Sequence, residues 1–205
     1  MARVKISAAY RDFEKEMKSL SKLDEINQKE TRFSKNQIEL LSEGLFMSAF
    51  RAYENYIEEI FLLATLEKPC LSGKKPKSFL KPKTYNHSRD LIRSSMPFLD
   101  WSTPNTVIER SQTYLKEGYP LCDPISASTR ILADMKILRN QIAHNSDESR
   151  KSYGRMLLRT YGTLPLGNLS PGRHLLNSVP RLTPNKHYLA YYIANLKNIG
   201  EAVAQ

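Results

Sequence analysis

The 205 residues predict an all-α fold. Apolar side chains recur three and four apart over long stretches, and alternating β-branched runs are scarce. The prolines stand between the periodic stretches or at their starts. The length suits one domain with a sizeable core, and the chain is read as a single domain over residues 1–205.

Ile6, Tyr10, Phe13, Met17 and Leu20 stand at helical spacing with Lys and Glu between them, which predicts an amphipathic helix over about 4–30. Ser34 can cap a longer second helix ending before Pro69. Its stripe runs from Leu41 through Phe46, Phe50, Tyr53, Ile57 and Phe61 to Ala64, wide enough for a central element. Pro69, Gly73, Pro76 and Pro82 then break the chain among Lys68, Lys74, Lys75, Lys77, Lys81 and Lys83, so residues 68–85 read as an exposed basic loop. Shorter helices follow over 86–95 and 103–115, the latter with Pro104 in its first helical position.

Asp123-Pro124 opens the next helix, in which Ile131, Met135, Leu138 and Ile142 mark a buried face with Arg139 at its edge. Asn145 suits its end, and Asn145-Ser146-Asp147-Glu148 reads as a capping box for a helix reaching Tyr161. Gly162, Pro165, Gly167, Pro171, Gly172 and Pro180 mark irregular chain, long enough to be functional or mobile. Thr183-Pro184 restarts a last helix carrying Tyr188, Tyr191, Tyr192, Leu196 and Ile199.

The net charge of +10 points to a polyanionic partner. Cys70 and Cys122 stand far apart with no Cys/His cluster, so neither a zinc site nor a disulfide framework is indicated, and no metal or cofactor is expected. Met1-Ala2-Arg3-Val4-Lys5 lacks the apolar stretch of a signal peptide and no segment approaches a membrane span. A cytoplasmic protein away from the membrane is therefore expected. No phosphate-binding glycine loop and no nucleophile elbow is present.

One run combines a permanent cation, a carboxamide and an imidazole: Arg139-Asn140-Gln141-Ile142-Ala143-His144. RNA can be cut when its own 2′-hydroxyl attacks the adjacent phosphate. That reaction needs a proton acceptor, a donor for the leaving 5′ oxygen, and positive charge for the phosphorane. Histidine as a residue type changes protonation near neutral pH, so His144 suits either proton role. Arg139 offers a planar fork of donors for phosphate oxygens, and Asn140 can orient the imidazole or the phosphate. On an ideal helix Asn140 and His144 share a face, whereas Arg139 and His144 diverge by roughly 140°. Either the helix loosens before His144 or two copies of the run meet across a dimer axis. A plainer account stands beside this one: the macrodipole favours Arg and His at any helix C-terminus.

The run resembles the RNxxxH signature of the HEPN superfamily, small helical proteins many of which are metal-independent ribonucleases. Ala52-Tyr53-Glu54-Asn55-Tyr56-Ile57-Glu58-Glu59 is similar to an acidic and aromatic segment of several HEPN families, the RiboL-PSP type among them. The resemblance implies an antiparallel helical bundle, and a homodimer in which two motifs line one cleft. It also implies RNA cleavage in a toxin–antitoxin or phage-defence system, with an antitoxin or defence protein as partner. It casts Glu54 as the group that fixes Arg139 or His144, though a solvated surface charge explains that residue equally well. One subtype carries a tyrosine two residues after the histidine, the target of its antitoxin; here Ser146 stands there. The basic loop and the Pro/Gly-rich segment look like additions to the bundle. Lys74, Lys75, Lys77, Lys81 and Lys83 are candidate phosphate contacts in RNA, or simply soluble surface. A non-catalytic RNA- or protein-binding module of the same fold is the alternative. His87, His174 and His187 lack a carboxylate or cysteine at ligand spacing and are read as incidental.

Overall fold

A computed structural model describes residues 5–94, 99–163, 169–180 and 186–205. The described residues form nine α-helices and no β-sheet, so the fold is all-α. In chain order these are α1 (Ile6–Lys29), α2 (Lys35–Thr65), α3 (Tyr85–Arg93), α4 (Pro104–Tyr114), α5 (Cys122–Ala127), α6 (Thr129–His144), α7 (Asp147–Tyr161), α8 (Pro171–Leu176) and α9 (Tyr188–Ala202). A 3-10 turn at Lys116–Gly118 separates α4 from α5. None of these helices is long and apolar enough to cross a membrane.

Most of these elements stand where the periodicity puts them, with three differences. The helix expected from Asp123 through the motif is two helices, because Ser128 leaves helical geometry (φ −109°, ψ 7°). The Thr129 hydroxyl donates to the Ile125 and Ser126 carbonyls at 3.1 and 3.0 Å, a local alternative to the helix ladder that Ser and Thr provide. The segment after Gly162 contains α8, capped by Ser170, where irregular chain was expected. The last helix is described from Tyr188, so His187 precedes it, while Thr183-Pro184 lies outside the described residues.

Contacts group the chain into two compact units. The first comprises Met1–Glu16, Ala52–Leu132 and Lys197–Gln205. In it the Phe13 ring stacks on Tyr56 at 4.3 Å, and the Tyr56 hydroxyl donates to the Gly200 carbonyl at 2.8 Å. A Cβ on Gly200 would lie 2.2 Å from the Phe13 ring, so only glycine allows α9 this approach. The chain between α2 and α3 is tied down: the Leu71 amide donates to the Ala204 carbonyl at 2.8 Å, and the Cys70 amide to the Lys74 carbonyl at 2.9 Å.

The second unit comprises Met17–Arg51 and Ala133–Leu196. Ser34 and Gln37 form a reciprocal capping box at the start of α2, with the Ser34 amide donating to Gln37 Oε1 at 2.8 Å. Gly172 lies so close to α2 that a Cβ would sit 2.7 Å from the Glu39 carbonyl oxygen. The Gly172 amide donates to Glu43 Oε1 at 2.8 Å, and the Ser170 hydroxyl to Glu39 Oε2 at 2.6 Å. Two of the histidines set aside in the sequence are built into this unit. His187 Nε2 lies 2.8 Å from Asp24 Oδ2, a carboxylate far away in the chain. His174 is fully buried and stacks on Tyr188 at 4.3 Å. Its Nδ1 lies 2.8 Å from the Tyr161 hydroxyl and its Nε2 3.2 Å from that of Tyr192. Because Asn177 already donates to the Tyr161 oxygen, the consistent assignment has Tyr161 donating to Nδ1 and Nε2–H donating to Tyr192. Burial lowers the His174 pKa to about 4.

Candidate active site

The motif closes α6. Leu132, Met135 and Leu138 are buried at successive turns, and Gln141 continues that line at 8 % exposure. Ile131 and Ile142, expected on the buried face, are only half-buried. The inward line is therefore rotated slightly from the one the apolar pattern suggests. It ends on a polar residue because that residue is fully engaged: Gln141 Oε1 accepts from the Ser149 hydroxyl at 2.9 Å, and its Nε2 donates to Asn145 Oδ1 at 2.9 Å.

The same pair of bonds sets the turn into α7. Asn145 adopts a left-handed conformation (φ 43°) and its amide donates to the Gln141 carbonyl at 3.1 Å. The cap falls one residue later than expected: Ser146, not Asn145, accepts from the Ser149 amide at 3.2 Å. Arg150 Nη1 donates to the Asn145 carbonyl at 2.8 Å and its Nη2 pairs with Asp147, which closes the turn from outside.

Roughly opposite the mean direction of that inward line, α6 carries Lys136, Asn140 and His144, which fall within roughly 80° of one another on an ideal helix. These three, with Ser146, Glu148 and Ser152 from the turn and α7, line a cavity of about 310 Å³. Asn140 and His144 therefore share one site, as their four-residue spacing predicts. Arg139 is not among the lining residues; its Nη1 donates to Asn140 Oδ1 at 3.2 Å. That bond takes one lone pair of the amide oxygen, and Nδ2 is the donor Asn140 can offer a ligand. The helix is α-helical through His144, so it does not loosen to bring Arg139 and His144 onto one side.

Compared with protein-family models, curated proteins and solved structures, the chain matches none. The reading of the site rests on its own groups. His144 is exposed and lines the cavity, and Lys136 supplies a cation on the same face. Glu148 adds a carboxylate, sited four residues beyond His144, that can orient an imidazole or repel a misplaced phosphate. Lys136, Glu148 and Ser152 were not picked out from the sequence as site residues. Extending the i, i+4 row backwards from His144 through Asn140 reaches Lys136, a signal that was there to use. Glu148 and Ser152 depend on the α6–α7 turn, which spacing does not reveal.

The other candidates belong to the first unit. Glu54 is half-buried on α2. Lys74, Lys75, Lys77, Lys81 and Lys83 are all exposed, with the Lys74 ammonium 3.9 Å from the centre of the Tyr119 ring.

Proposed function

We propose that this chain is a metal-independent endoribonuclease of the HEPN kind, folded as an antiparallel helical bundle with a basic loop and a Pro/Gly-rich insertion. It acts in the cytoplasm as a homodimer, in a toxin–antitoxin or phage-defence system. The observation that carries the reading is the convergence of Asn140, His144 and Lys136 on one cavity at the end of the motif helix. An RNA phosphate seated there meets an ammonium and an amide donor beside an imidazole.

The 2′-oxygen attacks phosphorus, and its proton passes to neutral imidazole. The bond from phosphorus to the 5′-oxygen breaks, and that oxygen leaves with a proton from an imidazolium. The products are a 2′,3′-cyclic phosphate and a 5′-hydroxyl, with no change in oxidation state. Lys136 and Asn140 hold the phosphate while charge builds on its oxygens. Arg139 of a second copy supplies the bidentate contact that one helix cannot provide together with its own His144.

The deciding experiment incubates the purified protein with ribosomal and transfer RNA in EDTA. Cleavage is expected to persist, to leave 2′,3′-cyclic ends or their opened form, and to spare DNA. Activity that vanishes in EDTA and returns with Mg²⁺ overturns the mechanism. The position of Arg139 outside the cavity favours a second reading, a non-catalytic RNA- or protein-binding module of a defence complex. Tight RNA binding with every substrate left intact would select it.

A further inference from the structure

The basic loop holds an exposed aromatic ring, Phe79, that takes no part in the proposed cleavage. Residues 77–79 run extended beside the end of α4. The Lys116 amide donates to the Lys77 carbonyl at 2.8 Å, and the Phe79 amide to the Tyr114 carbonyl at 3.0 Å, around a single antiparallel bridge between Ser78 and Leu115. In extended chain successive side chains face opposite ways. Ser78 takes the inner side at 8 % exposure; its amide donates to Glu67 Oε1 at 3.1 Å and its Oγ accepts from the Leu80 amide at 3.0 Å. Lys77 and Phe79 are therefore turned outward, and Phe79 is 64 % exposed. The ring is held in water by a hydrogen-bonded backbone, where it adds little to the core. Lys75, Lys77, Lys81 and Lys83 flank it, all exposed.

We propose that residues 75–83 form a docking platform for single-stranded RNA. Phe79 stacks on a base, and the lysines on either side contact the neighbouring phosphates. The choice of RNA rests on the ribonuclease reading. The choice of a single strand rests on the ring, because a duplex hides the base faces that an aromatic side chain can stack on. One ring between cations also offers little apolar area to a bilayer, whereas stacking on a base needs no more than one ring.

The test measures fluorescence anisotropy of a labelled, fully 2′-O-methylated RNA oligonucleotide, which binds without being cut. The intact protein is compared with Phe79→Ala, Phe79→Leu and Phe79→Trp. Alanine and leucine should each weaken binding by about fivefold to a hundredfold, tryptophan should retain it, and a duplex of the same sequence should bind more weakly. Lys77→Gln with Lys81→Gln should reduce the slope of log affinity against log salt by about 0.7 per lysine. Affinity unchanged in Phe79→Ala, or retained in Phe79→Leu, overturns the platform. So does loss of binding to phosphatidylserine vesicles in Phe79→Ala when the intact protein has no RNA affinity. Binding that depends on Phe79 with no RNA ever cut would leave the platform standing and remove the ribonuclease reading. Cutting that is intact with binding indifferent to Phe79 would do the reverse.

Discussion

His144 is exposed and Arg139 half-buried on a helix whose interior line is Leu132, Met135 and Leu138, so neither side chain fills the core. His144→Ala and Arg139→Ala should each abolish RNA cutting while circular dichroism and melting temperature stay close to those of the parent. Arg139→Lys should also cut poorly, because an ammonium cannot make the two-pronged phosphate contact. Loss of helix in proportion to loss of activity would instead favour the capping account of the motif. Gln141 should behave in the opposite way. Its amide joins Ser149 to Asn145, and Gln141→Ala removes both bonds while leaving the Ser149 hydroxyl the Ser146 carbonyl, at a cost of about 0.5–1.5 kcal/mol per lost bond in urea unfolding. The site was partly legible at this scale. Asn140 and His144 stand one helical turn apart, and that alone puts them on one face of α6. Gln141 carries no such mark, since its burial depends on a partner eight residues away on the next helix. The structural part His174 plays was not legible for a related reason, because its partners Tyr161, Tyr188 and Tyr192 are brought together only by tertiary packing. Its consequence is a pH effect. With the folded pKa lowered to about 4 and an unfolded value near 6.5, protons bind the unfolded chain preferentially between those limits. This stability is fully present above about pH 6.5 and is lost as pH falls towards 4, on the order of 3 kcal/mol. His174→Gln, which keeps an amide for the hydroxyls but cannot titrate, should lack that part of the decline when unfolding is measured across the interval.

Among the helices, those with long apolar periodicity were readable and those made by contacts were not. α1 and α2 carry stripes several turns long, and Ser34 with Gln37 supplies the cap chemistry that starts α2. α8 has six residues beginning Pro171-Gly172, too short for any period to show. What holds it is the approach of Gly172 to Glu39 and the bonds from Ser170 and Gly172 to Glu39 and Glu43. Gly172→Ala should therefore destabilise the protein by about 1–3 kcal/mol, since the added methyl meets backbone at 2.7 Å and not a yielding side-chain end. An unchanged melting temperature for this variant would mean that α8 does not depend on that approach. The break at Ser128 was missed because Ile125, Leu132, Met135 and Leu138 continue an apolar rhythm across it, while the hydroxyls that interrupt the ladder leave that rhythm intact.

For the whole molecule, the proposed cleavage requires one site to gather enough positive charge for a phosphate. A continuous α6 keeps Arg139 roughly 140° from His144, and the cavity takes Lys136, Asn140 and His144 without it. A twofold axis that brings two α6 ends together would give each phosphate the His144 cavity of one copy and the Arg139 fork of the other. The net charge of +10 opposes close approach of two copies in the absence of a polyanion and rewards it in the presence of RNA. The dimer should therefore tighten with RNA and loosen with salt. Mixing His144→Ala chains with Arg139→Ala chains distinguishes this arrangement from a self-sufficient subunit. Each variant alone has no complete pair. A mixed dimer has one site with both mutated residues and one in which an intact His144 faces an intact Arg139. Cutting should return on mixing, towards a quarter of the parental rate for equal amounts of freely exchanging chains, from simple counting of dimers and sites. Light scattering that finds a fully active monomer at the assay concentration, or mixtures no more active than their components, would rule the shared site out.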